Sequence, residues 1–136
     1  MSDPLTGACL CGAVRIELTE APTVAYYCHC TRCQRRSGTG ASVSTRVRPG
    51  SVRIVSGEDK VRTFVPPEGL PKAFCSECGS ALWAARREDG EIAALRMGLF
   101  DSDPGIRPSA RQFTAYAAPW EPIPDDGLPR HPERMP

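Results

Sequence analysis

Seven cysteines fall into three tight clusters: Cys9 with Cys11 in G-A-C-L-C-G, Cys28, Cys30 and Cys33 in C-H-C-T-R-C, and Cys75 with Cys78 in F-C-S-E-C-G. The number is odd, so a closed set of disulfides would leave one thiol over. Two or three thiols at these spacings can instead converge on one metal ion. In C-x-x-C-G the chain curls round the ion, backbone N–H groups donate to the sulfurs, and Gly79 permits the positive φ that closes the curl. Gly12, after Cys11, can serve the same purpose. On an extended segment residues i and i+2 share a face, so Cys9 and Cys11 can both reach an ion without a helical turn. An all-sulfur donor set favours Zn²⁺, which takes four soft or borderline ligands in a tetrahedron.

Seven thiols divide as four plus three. Four thiolates close a structural zinc site, and three leave one position for water or a substrate, so the pattern proposes one site of each kind. Spacing alone leaves the partition open. Cys28, Cys30 and Cys33 are locally complete as a trio, and joining the other two pairs would close a loop of more than sixty residues, at a cost that grows only logarithmically. A fourth ligand from elsewhere, such as His131 or a carboxylate, would make the second site structural as well. A zinc already carrying three thiolates is a weak Lewis acid, better suited to holding another soft ligand than to making hydroxide. A substrate thiol is the natural guest.

The rest of the chain reads as all-β. Ala13 to Glu20 alternates, with Val14, Ile16 and Leu18 on one side and Arg15, Glu17 and Thr19 on the other, the period of a half-buried strand. Short β-type runs follow at Val24–Tyr27, Ser42–Val47, Val52–Val55, Val61–Val65, Ala73–Cys75, Ala81–Ala84, Ile92–Met97 and Gln112–Tyr116, although Glu91–Arg96 also has helical propensity. Thr31 is placed to cap a helix of at most two turns, ended by Ser37 to Gly40. With 14 Pro and 12 Gly in 136 residues, long helices are disfavoured. The length suits a single zinc-binding domain over residues 1–136, in which Pro119, Pro122, Pro124, Pro129, Pro132 and Pro136 give an extended tail over about 119–136.

Seventeen Lys and Arg against 16 Asp and Glu leave a formal charge of +1, so no overall field favours a polyanion, and no basic stripe with interleaved aromatics suggests a nucleic-acid partner. No apolar run reaches the roughly 18 residues of a membrane span, and the start has neither a basic n-region nor an apolar h-region, which points to a cytoplasmic protein. Nothing in the pattern specifies an oligomeric state. Arg32, Arg35 and Arg36 follow the trio and could grip carboxylates by paired hydrogen bonds or form a solvated run. His29, between two ligands, should point away from the ion. Phe74, Trp83, Phe113 and Tyr116 read as core, Asp101 as a binding or turn residue, and Trp120 as the pin of the tail.

G-A-C-L-C-G-A-V, C-H-C-T-R-C-Q-R-R-S-G, F-C-S-E-C-G-S-A-L, M-G-L-F-D-S-D-P-G-I-R-P and the closing P-W with D-D-G-L-P, in that order over about residues 5–130, resemble the glutathione-dependent formaldehyde-activating family. The resemblance implies an Mss4-like fold of several small coiled antiparallel β-sheets organised around zinc. It also implies a partition: Cys9, Cys11, Cys75 and Cys78 on a structural zinc, Cys28, Cys30 and Cys33 on a catalytic one, two Zn²⁺ per chain. The activity implied is that of a carbon–sulfur lyase, S-(hydroxymethyl)glutathione synthase, acting on glutathione or another small thiol and an aldehyde. The rival is a noncatalytic zinc-stabilised β-module that binds a protein partner.

Overall fold

The alternating run after Ala13 becomes a strand whose apolar side chains all turn inward: Val14, Ile16 and Leu18 are each no more than 2% exposed. The computed structural model describes residues 4–136, so residues 1–3 of the proposed single domain lie outside the described part. Ten strands occur in it: β1 Leu5–Ala8, β2 Arg15–Leu18, β3 Val24–Cys28, β4 Ser42–Arg46, β5 Val52–Ser56, β6 Val61–Phe64, β7 Lys72–Cys75, β8 Ala81–Ala85, β9 Ile92–Arg96 and β10 Pro108–Gln112. The α-helix, α1, spans Thr31–Ser37. Single 3-10 turns lie at Glu58–Lys60, Met97–Leu99 and Thr114–Tyr116.

The fold is all-β, in two sheets. One has the order β1-β2-β5, and the other β10-β3-β4-β9-β8-β7-β6. Their shared core holds Ile16 and Leu18 of the first sheet against Ala73, Leu82, Trp83 and Leu95 of the second. Every strand pair is antiparallel except β10 on β3. That parallel pair arises because β10 follows a long loop instead of a hairpin, and parallel neighbours require such a connection.

Strand periodicity also separates two faces of the larger sheet. Thr45 of β4 and Leu95 of β9 are fully buried on the core side. Ser42, Ser44 and Arg46 of β4, with Ala94 and Arg96 of β9, line a cavity, because residues two apart share a face. Small Ser and Ala side chains on that face leave open space that larger residues would fill.

Two local expectations are corrected. The last strand is Pro108–Gln112, not Gln112–Tyr116, because Phe113 adopts φ 57 and Thr114–Tyr116 turns as 3-10 helix. The cap of α1 is Cys30, whose sulfur accepts the Cys33 N–H at 3.3 Å; a thiol takes the place of the hydroxyl expected from Thr31. β1 has no counterpart in the sequence reading, since L-T-G-A is too short to show alternation. Ile92–Arg96 is a strand despite its helical propensity, held between β4 and β8.

The tail beyond Ala118 runs back along the free side of β10. Arg111 N–H donates to the Pro129 carbonyl at 2.9 Å, and His131 N–H to the Arg111 carbonyl at 2.8 Å. Farther on, Met135 N–H donates to Gln112 Oε1 at 3.2 Å, and the Met135 side chain is buried. Trp120 is 65% exposed and is not the pin. That role falls to Arg111, buried to 6% exposure, which donates to Asp126 at 2.7 Å and lies 4.1 Å from the Tyr27 ring centre.

Candidate metal centres

The two pairs distant in sequence meet. Cys9, Cys11, Cys75 and Cys78 place their sulfurs within 4.8 Å of one another. Cys9 and Cys11 follow β1, Cys75 ends β7, and Cys78 sits in the turn before β8. Both segments curl: residues 75–79 do so as the sequence suggests, whereas residues 9–12, expected as an extended segment, form a turn. Cys9 N–H bonds the Val14 carbonyl, Gly12 N–H the Cys9 carbonyl, and Val14 N–H the Cys9 sulfur at 3.3 Å. In the second turn Gly79 N–H donates to the Cys75 carbonyl at 2.8 Å, and Gly12 and Gly79 take φ 81 and 77.

The spacing of the sulfurs suits an ion. All seven cysteines are free thiols, and Cys9–Cys11 and Cys11–Cys75 are 3.7 and 3.9 Å apart. A disulfide would bring sulfurs to about 2 Å, whereas a tetrahedron with Zn–S near 2.3 Å has edges of about 3.8 Å. The donor set therefore fits zinc. Ser80 helps prepare it: its hydroxyl accepts Leu10 N–H and lies 3.1 Å from the Cys78 sulfur, a contact that brings the Cys78 thiol down to about 5. Cys11 moves the other way. Against a lowering bond from Ala13 N–H, desolvation and the neighbouring thiols hold it up at about 11.

The second cluster is local. Cys28 closes β3, Cys30 caps α1 and Cys33 lies in its first turn, and their sulfurs also fall within 4.8 Å of one another. All three residues are at most 8% exposed. Among the described residues no fourth His, Cys, Asp or Glu joins them. His29 turns its Nε2 to Arg111 Nη1 at 3.2 Å, away from the sulfurs, as its alternation with Cys28 and Cys30 requires. Gln34 fixes the loop by donating to the His29 carbonyl at 2.8 Å and the Tyr116 carbonyl at 2.9 Å. Within the trio the thiols act on one another. Hydrogen bonds from Cys28 and Cys30 push Cys33 far down, and the neighbouring Cys30 and Cys33 thiols, with burial, push Cys28 far up. The cluster holds one thiolate readily, and full ionisation needs a cation among the sulfurs.

The trio opens onto a cavity of about 370 Å³, within the size range of small-molecule sites. Six cations line it: Arg32 and Arg36 of α1, Arg46 of β4, Lys72 of β7, Arg96 of β9 and Arg134 of the tail. Of the arginines singled out in the sequence, Arg32 and Arg36 point here, and Arg35 is exposed and does not line the cavity. Arg46, Lys72, Arg96 and Arg134 were not singled out, since only strand pairing and the returning tail bring them together. Trp83 is buried as expected, at 5% exposure, yet it and Phe113 also face the cavity. Tyr116 is not core: it is 47% exposed, its hydroxyl bound to Glu133. Asp101 secures β1, accepting from the Thr6 hydroxyl at 2.6 Å and pairing with Arg15 at 3.5 Å. No helix among the described residues is long and apolar enough to cross a membrane.

Comparison with known proteins follows the same lines. The pattern of the family described as "Glutathione-dependent formaldehyde-activating enzyme" matches residues 4–116. A Halomonas elongata protein named "Putative glutathione-dependent formaldehyde-activating enzyme" is 29% identical over 105 residues, which cover 73% of this chain and 67% of that one. Among solved structures, a Rhodobacter sphaeroides protein superposes with a TM-score of 0.53 at 26% identity, over 76% of this chain and 91% of its own.

Proposed function

The chain belongs to the glutathione-dependent formaldehyde-activating enzyme family, and from that premise we propose that it joins glutathione, or a closely related thiol, to formaldehyde to give the S-hydroxymethyl adduct. Read in reverse, this is a carbon–sulfur lyase reaction. We assign Cys9, Cys11, Cys75 and Cys78 to a structural zinc and Cys28, Cys30 and Cys33 to a second zinc at which the substrate thiol is held, within one domain spanning the described chain. A cytoplasmic setting, where thiols stay reduced, suits both sites.

The observation that carries the reading is the contrast between the clusters. Four sulfurs satisfy a tetrahedral ion with the chain's own donors, whereas three sulfurs stand in the wall of a cationic cavity. When bound, zinc supplies the positive charge that favours the thiolate form of a sulfur beside it. The residues of the chain do the rest. Ser42 lines the cavity with Cys33 and favours its thiolate form. Gln34 holds the His29 loop against the 3-10 turn, so the trio keeps its shape. The arginines and Lys72 draw the acidic ends of the thiol inward, and Tyr26, Trp83 and Phe113 exclude water from the apolar side.

The thiolate sulfur forms a bond to the formaldehyde carbon, the carbonyl π pair moves to oxygen, and water returns to that oxygen the proton lost by the thiol. Since the addition also proceeds unaided, orientation and deprotonation account for the whole effect, and a modest acceleration is expected. Adduct formation followed by NMR, with wild type and Cys30→Ser at equal metal content in the four-cysteine site, tests the proposal. The variant should fall to the uncatalysed rate. Equal rates in the two proteins would overturn it.

A further inference from the structure

A chain with a formal charge of +1 gathers six cations round one cavity, none of them paired with an Asp or Glu side chain among the described residues. All nine ion pairs among the described residues use other cations. No carboxylate lines the cavity among those residues. Glu68 and Glu133 neighbour the lining residues Gly69 and Arg134 in sequence but stand outside, and the Glu133 carboxylate is engaged by the Tyr116 hydroxyl at 2.8 Å. Even with three thiolates and a divalent ion counted in, the six cations leave a surplus of about five positive charges.

The cations divide by depth. Arg36 and Arg96 act on the Cys33 thiolate or its surroundings, as does Lys72, so these three offset the charge of the sulfur cluster. Burial lowers Arg36 only to about 10, and it stays charged at neutral pH. Arg46 is turned to the tail, donating to the main-chain oxygens of Pro136 and Met135 at 2.7 and 3.3 Å. Arg32 and Arg134, both exposed at the mouth, remain for a ligand. Arginine forks grip carboxylates in pairs of parallel hydrogen bonds. An ammonium group in this cavity would meet six like charges and, away from the sulfur cluster, no carboxylate to pair with.

We infer that the site reads its thiol through two acidic groups and does not read an amine at all. The inference rests on the proposed thiol site and refines its substrate class. Glutathione enters with its carboxylates toward Arg32 and Arg134 and its glutamyl ammonium toward solvent, and acidic thiols whose amine is blocked or missing serve as well.

Calorimetric binding to the zinc-loaded protein tests this with four probes: glutathione, N-acetylglutathione, glutathione diethyl ester and mercaptosuccinate. Acetylation should leave Kd within about twofold of glutathione or tighten it, while esterification should weaken binding about tenfold or more. Mercaptosuccinate, acidic and free of amine, should bind, and Arg134→Gln should weaken glutathione and N-acetylglutathione alike. An N-acetyl derivative bound about tenfold more weakly than glutathione, or a diester bound equally well, overturns the inference and leaves the thiol site standing. If no probe binds, the proposed site itself fails and takes the inference with it.

Discussion

Removing one sulfur from each cluster should have unequal consequences for stability. Cys75 and Cys33 are both buried, at 0% and 8% exposure, so Cys→Ser carries a similar packing cost at either position. The clusters differ in the chain they close. An ion linking Cys11 to Cys75 bridges a separation of 64 residues, a constraint that removes about 4 kcal/mol of unfolded-chain entropy in the loop-closure model. The trio from Cys28 to Cys33 encloses only about five residues, and the same relation gives about 2 kcal/mol. Cys75→Ser should therefore cost about 2 kcal/mol more than Cys33→Ser in zinc-saturated protein, a difference of about 1 M in the urea midpoint for a chain of this size. Urea unfolding of the two variants, repeated with a chelator, measures it. Under chelation the difference should vanish. An equal or larger loss for Cys33→Ser in the presence of zinc would refute the assignment of the four-cysteine site as the long-range tie.

Other expectations follow from single residues. Leu95→Ala, at a position with 0% exposure in the core between the sheets, should lower stability by about 2–5 kcal/mol in the same assay; a loss under about 1 kcal/mol would contradict its central place. Asp103 is held down to about 2, first by the Arg107 side chain and then by Gly105 N–H. Because the folded value is depressed, the stabilisation is present above the ordinary carboxylate pKa of 3.8 and fades as pH falls toward about 2. An NMR titration should show that midpoint, and Arg107→Gln should return it toward 3.8. Arg111→Met removes the bonds to His29 and Asp126, so the amides of Thr114 and His131 should exchange faster and the tail should become open to protease. Unchanged exchange at both amides would show that other contacts hold the tail.

The cysteine clusters were legible because a C-x-x-C-G or C-x-C segment carries its own geometry: Gly12 and Gly79 needed no tertiary context to take a left-handed backbone. The trio behaved likewise, although the hydroxyl expected from Thr31 gave way to the Cys30 sulfur, since a thiol at the cap also serves the cluster. Strands were readable where apolar side chains alternate, as from Val14 to Leu18, and unreadable at Leu5–Ala8, where Gly7 lies against the Leu99 carbonyl and alternation has no room to develop. The cavity was hidden for a different reason. Arg46, Lys72, Arg96 and Arg134 lie far apart in the chain, and a near-zero total charge conceals their meeting. Phe113 misled because its aromatic ring suits a strand while its backbone turns out of one.

The family pattern ends at residue 116, yet Arg134, beyond it, supplies part of the cavity wall. The cysteine clusters and five of the six cavity cations thus lie within the matched stretch, and one cation is carried by a separate segment. Exchange of that closing segment would alter the charge at one side of the cavity while leaving the seven sulfurs where they are.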